Sequence, residues 1–196
     1  KVTFLCLLKL CCSKSRSIYS GRLLHNLIIE GGFESEIAIG SALVDMYSKC
    51  GNIEEAHSTF VKISNKNKVT WGAMISAYAQ HGYGHLAIES FNEMQQMGIK
   101  PDEVLFSCVL KGLADIGLIE KGMQTHNQII VYGLDGDLVL GTALIDMYGK
   151  CGFLAKAQQV FDALPCKNVI SWTALISAYV QHAHSKEALS CFRHMQ

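Results

Sequence analysis

Ser41-Ala42-Leu43-Val44-Asp45-Met46-Tyr47-Ser48-Lys49-Cys50-Gly51 returns later in the chain as Thr142-Ala143-Leu144-Ile145-Asp146-Met147-Tyr148-Gly149-Lys150-Cys151-Gly152. The offset is 101 (142 − 41), and Phe60/Phe161, Trp71/Trp172, Tyr78/Tyr179 and Met94/Met195 keep it. Aligned without a gap, residues 41–95 and 142–196 agree at 24 of 55 positions. Self-similarity of this kind marks a repeat architecture and decides the fold before any single residue is weighed. Inside the long period lies a shorter one. Units begin near Ile37, Lys68, Glu103, Leu138 and Val169, at spacings of 31, 35, 35 and 31 residues.

Each unit reads as two helices. In Val69 to Gln80, Trp71, Met74, Ile75 and Tyr78 fall on one helical face. Gly82 and Gly84 punctuate a turn, and a second apolar stripe runs through Leu86, Phe91 and Met94. Gly98 followed by Pro101 stops that second helix. A helical hairpin of this length cannot bury its apolar face alone, so neighbours must stack. The expected fold is all-α: a right-handed α-solenoid superhelix of helix-turn-helix hairpins, about six repeats in one array.

Composition agrees with a packed chain. Hydrophobic residues make up 49% of 196 positions, charged residues 17%, and there are only 2 prolines, which excludes a disordered polymer. Lys+Arg and Asp+Glu are both 17, so no general basic surface exists to hold nucleic acid. The 8 cysteines form no C-x-x-C pair and lie in helix-like apolar patterns, as reduced, buried thiols do. No zinc-ligand spacing occurs, and Gly82-Tyr83-Gly84 separates His81 from His85, so no metal is expected. His182 and His184 sit on a polar turn and read as solvated. No run is apolar enough for a membrane span. P-loop, G-x-S-x-G, dinucleotide-binding and zinc-deaminase signatures are all missing, so the chain reads as a non-enzyme needing no cofactor. Lys1 in place of Met, and the uncapped helix-like Arg193-His194-Met195-Gln196, read as a piece of a longer protein.

On these residues the chain resembles the pentatricopeptide repeat family, and within it the plant type in which long, short and standard repeats alternate. Val69-Thr70-Trp71-Gly72-Ala73-Met74-Ile75-Ser76-Ala77-Tyr78 with Gly98-Ile99-Lys100-Pro101-Asp102 matches the standard repeat. Ala42 to Gly51 matches the short one. Phe106 to Asp137, with Gly122-Met123-Gln124-Thr125-His126 in its second helix, matches the long one. The resemblance implies a long repeat at 1–36, short at 37–67, standard at 68–102, long at 103–137, short at 138–168 and a truncated standard repeat at 169–196. The first long repeat carries one extra residue near Ser13–Ser17 relative to its twin.

The same resemblance implies single-stranded RNA as the partner, about one base per repeat, each base read by two or three side chains. Carried onto this sequence, the reading pairs are Ser41 with Asn67, Gly72 with Asp102, Ser107 with Asp137 and Thr142 with Asn168. Thr173 is a reader whose partner lies past the last residue, and Leu5 with Glu36 does not form a reading pair. Ala38, Val69, Val104, Val139 and Ile170, beside the readers, would sandwich the bases. The base edges add their own chemistry. A and C offer a ring-nitrogen acceptor that an Asn amide satisfies, whereas G and U offer a ring N–H that an Asp carboxylate accepts. With a hydroxyl favouring purines in the family's rule, the two short repeats should take A. Ser107 with Asp137 should favour G weakly, and Gly72 with Asp102 should discriminate little.

Other features admit plainer readings. Trp71 and Trp172 lie in apolar stripes and read as core rather than stacking platforms. Lys49 and Lys150 read either as phosphate contacts or as i, i+4 ion-pair partners of Asp45 and Asp146. Two functional classes stand: a modular RNA binder, and a protein–protein scaffold of the tetratricopeptide type, which uses similar hairpins. Asn or Asp closing repeat after repeat favours the first. By resemblance, such arrays choose the site for organellar C-to-U editing or RNA processing. Editing or processing proteins are then further partners, a deaminase would reside in a C-terminal part not present here, and the location is a chloroplast or mitochondrion. An open terminal hairpin is expected to favour end-to-end association.

Overall fold

The computed structural model describes residues 2–11, 18–33 and 36–195. The extra residue expected near Ser13–Ser17 lies outside them. Twelve helices and no strand occur among the described residues. They fall into two compact units, Lys1–Lys100 and Pro101–Gln196. The first holds α1 (Val2–Leu10), α2 (Ile18–Glu30), α3 (Ile37–Lys49), α4 (Ile53–Lys62), α5 (Lys68–Gln80) and α6 (Gly84–Gln96). The second holds α7 (Glu103–Ile116), α8 (Ile119–Val131), α9 (Leu138–Lys150), α10 (Leu154–Ala163), α11 (Val169–Gln181) and α12 (Ser185–Met195).

Both units use one packing rule. Each first helix lies against the next first helix, α1 on α3 and α3 on α5 in one unit, α7 on α9 and α9 on α11 in the other. Each second helix with a following hairpin in its unit wedges between its own first helix and the next: α2, α4, α8 and α10 all do so. The middle first helices are therefore the most buried. α3 hides Leu43, Val44, Met46 and Tyr47, and α9 hides Leu144, Ile145, Met147 and Tyr148. Burying a side chain of this size contributes about 1.5–3 kcal/mol. Trp71 is buried edge-on against Phe60, with ring centroids 4.9 Å apart, and Trp172 meets Phe161 at 4.5 Å. Trp71 packs the interior, as its place in the apolar stripe implied, whereas Trp172 is half-buried.

A polar rung joins successive hairpins. His25 Nδ1 lies 2.7 Å from the Tyr47 hydroxyl, His57 Nδ1 2.5 Å from Tyr78, and His126 Nδ1 2.9 Å from Tyr148. In the last rung the Tyr179 hydroxyl donates to Gln158 Oε1 at 2.8 Å. Burial pushes all four phenols above their ordinary value, so they remain protonated donors. Burial, with Lys156 nearby, also holds the His126 imidazole below its usual value. A second inter-hairpin bond recurs at the helix ends. His81 Nε2 reaches Ser48 O at 2.9 Å and His182 Nε2 reaches Gly149 O at 2.8 Å, so His182 is not simply solvated.

The twin turns differ at their positive-φ residue. α5 ends at Gln80, and Gly82 continues with φ +81°. At the matching place after α11 stands Ala183, with φ +60°, the one non-glycine residue at positive φ among those described. The left-handed conformation costs an L-residue about 1–2 kcal/mol, which glycine avoids. Ala183→Gly should therefore stabilise the chain by about 1 kcal/mol, raising Tm by about 2–4 °C in a melt followed by circular dichroism.

Candidate nucleic-acid interface

The Asn and Asp residues that close the repeats share a local role. Each immediately precedes a first helix and caps it. Asn67 Oδ1 accepts from Thr70 N at 3.0 Å, Asp102 Oδ1 from Leu105 N at 3.0 Å, Asp137 Oδ1 from Leu140 N at 2.8 Å and Asn168 Oδ1 from Ser171 N at 2.8 Å. A cap of this type stabilises a helix by about 1 kcal/mol. Capping therefore supplies a reason for Asn or Asp at these positions that involves no ligand, and their recurrence alone does not separate an RNA binder from a scaffold. The cap also fixes which way the side chain faces. With Oδ1 turned onto the backbone, Asn67 and Asn168 direct Nδ2, a donor, away from the helix end, and Asp137 directs Oδ2, an acceptor.

A surface groove forms beside each short-repeat cap, once in each unit. In the first unit it has a volume of about 550 Å3 and runs across α1, α3 and α5, lined by Leu5, Lys9, Ile37, Ala38, Ser41, Ala42, Asp45, Asn67, Val69 and Ala73. In the second it has about 340 Å3 and runs across α7, α9 and α11, lined by Ser107, Lys111, Leu138, Val139, Thr142, Ala143, Asp146, Asn168 and Ile170. Apart from Ala73, the two linings correspond position by position. The grooves bring together Ser41 with Asn67 and Thr142 with Asn168. Ser107 lines the second groove, whereas Asp137 caps α9 outside that lining. Gly72 is half-buried on α5, and Asp102 caps α7 in the other unit. Thr173 is exposed on α11, and its hydroxyl donates to Val169 O at 2.7 Å.

The hydroxyls of the two grooves are wired differently. Ser41 is 6% exposed; its Oγ lies 2.8 Å from Ile37 O and 2.8 Å from the fully buried Thr70 Oγ1, which donates to Asn67 Oδ1 at 3.1 Å. Thr142 Oγ1 donates to Leu138 O at 2.8 Å, while Ser171 turns to the backbone of its own cap, Asn168. The apolar residues assigned to base sandwiching share one register, the second residue of each first helix. Ala38 is exposed, and Val69, Val104, Val139 and Ile170 are 67, 68, 63 and 65% exposed. Packing does not account for a repeated exposed Val or Ile, whereas a flat apolar ligand would cover it.

The i, i+4 ion pairs offered by the sequence for Lys49 and Lys150 are present. Lys49 Nζ bonds Asp45 at 2.7 Å. Lys150 Nζ bridges Asp146 at 3.0 Å and Asp115 at 3.3 Å, tying α9 to α7. Burial pulls the Lys150 ammonium down, but the two carboxylates outweigh it and hold it above its ordinary value. Lys9 and Lys111, exposed on α1 and α7, reach the grooves themselves, which sequence reasoning missed. The available signal was their shared position on the first helices of both long repeats. Among the described residues, no cluster of His, Cys, Asp or Glu could hold a metal ion, and no helix is long and apolar enough to cross a membrane.

Known proteins share these features. The PPR repeat family matches residues 66–115, and the PPR repeat matches 41–67, 142–169 and 170–196. A pentatricopeptide repeat-containing protein of Arabidopsis thaliana is 38% identical over 94% of this chain, which covers 27% of that protein. A second is 40% identical over 90% of this chain, covering 24% of its own length. A chloroplastic and a mitochondrial relative from the same plant are 37% and 36% identical, covered over 20% and 30% of their lengths. The chain thus spans less than a third of these relatives. The crystal structure of the pentatricopeptide repeat protein PPR10 in complex with an 18-nt psaJ RNA element superposes with TM-score 0.85 at 23% identity, over 98% of this chain and 29% of that one. PPR10 from maize superposes at TM-score 0.74 and 20% identity, over 98% and 28%. The structural likeness shows an α-solenoid of helical hairpins, and the repeat matches place the chain in the pentatricopeptide repeat family.

Proposed function

We propose that this chain is a single-stranded RNA-binding array that reads about one base per repeat. The observation that carries the reading is the groove built twice from matching residues. In each, a capped Asn presents a donor beside a first-helix hydroxyl and an exposed apolar side chain. A nucleobase has the flat face and the polar edge that such a groove fits. The solved likeness to an RNA-bound family member supports the same reading. A tetratricopeptide-type scaffold would share the hairpins and caps but has no use for an exposed Val or Ile at one register of four first helices, α5, α7, α9 and α11.

The finer assignments follow from this reading. Long, short and standard units alternate, and the two short repeats, three repeats apart, take A. Ser107 with Asp137 favours G weakly, and Gly72 with Asp102 discriminates little. The array serves as the site-recognition part of an organellar editing or processing factor, with catalysis supplied elsewhere. The names of a chloroplastic and a mitochondrial relative support the organelle. Binding to single-stranded RNA carrying A-N-N-A should exceed binding to poly-U in a gel shift. Equal binding to both would remove the base assignments, and binding to neither would remove the function.

A further inference from the structure

We propose that Thr70 is a positioning residue for base reading at the first short repeat, holding Asn67 and Ser41 in one fixed arrangement. This rests on the RNA-binding reading above. Thr70 stands in the first turn of α5 and is fully buried, so it meets no base itself. Its backbone N and its Oγ1 both donate to Asn67 Oδ1, at 3.0 and 3.1 Å. The same Oγ1 lies 2.8 Å from Ser41 Oγ on α3. Through one buried hydroxyl, the two readers that line the first groove are joined into a single chain of hydrogen bonds.

Each bond in that chain restricts what the groove presents. An Asn67 amide rotated by a half-turn would set its NH2 against two donors instead of one, so Nδ2 stays directed outward. With the Thr70 proton on Asn67 Oδ1, the Ser41 proton goes to Thr70 Oγ1 or to Ile37 O, each 2.8 Å away. Ser41 therefore offers the groove a lone pair, at a distance from the amide that Thr70 fixes. The second groove is not wired in this way. Ser171 stands at the place of Thr70 and Thr142 at that of Ser41. Thr142 Oγ1 donates to Leu138 O on its own helix, and Ser171 Oγ bonds the backbone N and O of Asn168. Asn168 Oδ1 is held by Ser171 N alone, at 2.8 Å. Among the described residues no hydrogen bond joins Thr142 to Ser171 or Asn168, so the second pair of readers keeps its spacing through helix packing only.

Competition binding of single-stranded A-N-N-A against RNAs with G in place of one A or the other tests this, with the melting curve as folding control. Thr70→Val removes the hydroxyl and keeps a β-branched side chain of nearly the same size. Ser41 then still has Ile37 O, and Asn67 still has the backbone N of residue 70. The variant should lower A-over-G discrimination at one of the two A bases by roughly two- to tenfold, the worth of one hydrogen bond, and leave the other unchanged. Thr142→Ser/Ser171→Thr builds the first groove's pair into the second and should raise discrimination at the other A by a similar factor. A folded Thr70→Val chain that keeps full discrimination, or loses it equally at both bases, overturns the assignment of Thr70 alone. If Thr70→Val does not fold, the double variant decides, and unchanged discrimination there overturns the assignment. A wild type without preference for A-N-N-A removes the base assignments with it, and one that binds no single-stranded RNA removes the function as well.

Discussion

Asn168→Asp is expected to move the preferred base of the second short repeat from A toward G while leaving the fold intact. The substitution separates the two duties of this residue. Asn and Asp cap helices about equally well, and the carboxylate gains a little from the helix N-terminus, so stability should change by only a few tenths of a kcal/mol. What changes is the atom facing the groove. Asn168 Oδ1 is committed to Ser171 N at 2.8 Å, so Nδ2 is the outward group, and Asp puts an acceptor oxygen in its place. The ring-nitrogen acceptor of A then meets another acceptor, whereas the ring N–H of G meets a partner. Leaving one such group unsatisfied costs about 1–3 kcal/mol, so the A-to-G preference should invert by roughly tenfold or more. Competition between RNAs that differ only at that base reads the change directly. Asn168→Ala should instead lose the cap, about 1 kcal/mol, together with the selectivity. If Asn168→Asp keeps the original preference, the residue is a cap and nothing more.

The sequence carried the fold almost entirely, because the signal was periodic. An offset that held Phe60, Trp71 and Tyr78 in step with Phe161, Trp172 and Tyr179 could only mean stacked hairpins, and the first two pairs meet as Phe–Trp contacts in both units. The readers were legible only through resemblance, and their capping role was open to view but passed over. Asn67-x-x-Thr70 and Asn168-x-x-Ser171 ahead of apolar runs are helix-start patterns in their own right. The histidine–tyrosine rungs were not legible. His57 and Tyr78 are 21 residues apart on different hairpins, and nothing local in either stretch marks the contact. The same holds for Lys9 and Lys111. Their place in the grooves depends on three first helices meeting there, which only packing reveals.

The opposite kind of change, one that leaves the reading atoms alone and disturbs the packing beneath them, should have the largest structural effect. Gly149→Leu is expected to destabilise the chain by about 2–3 kcal/mol, the range for forcing extra carbons into a close-packed contact. A Cβ on Gly149 would stand 2.5 Å from Ala178 Cβ and 3.4 Å from its Cα, so α9 and α11 meet there with no space for a side chain. Glycine inside a helix costs about 1 kcal/mol relative to alanine, and recovering that offsets only part of the clash. Ser48 occupies the twin position on α3 and is buried, so the fold accepts a small residue there. Gly149→Ser, which brings the same Cβ but fewer atoms, should accordingly cost less than the leucine. The leucine would also displace the backbone carbonyl that receives His182 Nε2 at 2.8 Å, removing a second tie between the hairpins. Tm should drop by roughly 4–12 °C, at about 2–4 °C per kcal/mol for a chain of this size. The functional effect should be confined. Thr142 on α9 and Asn168 at the head of α11 line one groove only while those helices stay in contact, so selectivity should vanish at the second short repeat. Ser41 and Asn67, in the other unit, should keep theirs. A Gly149→Leu chain that melts like the wild type, or that loses discrimination equally at both short repeats, would show that α9–α11 packing does not build the second groove.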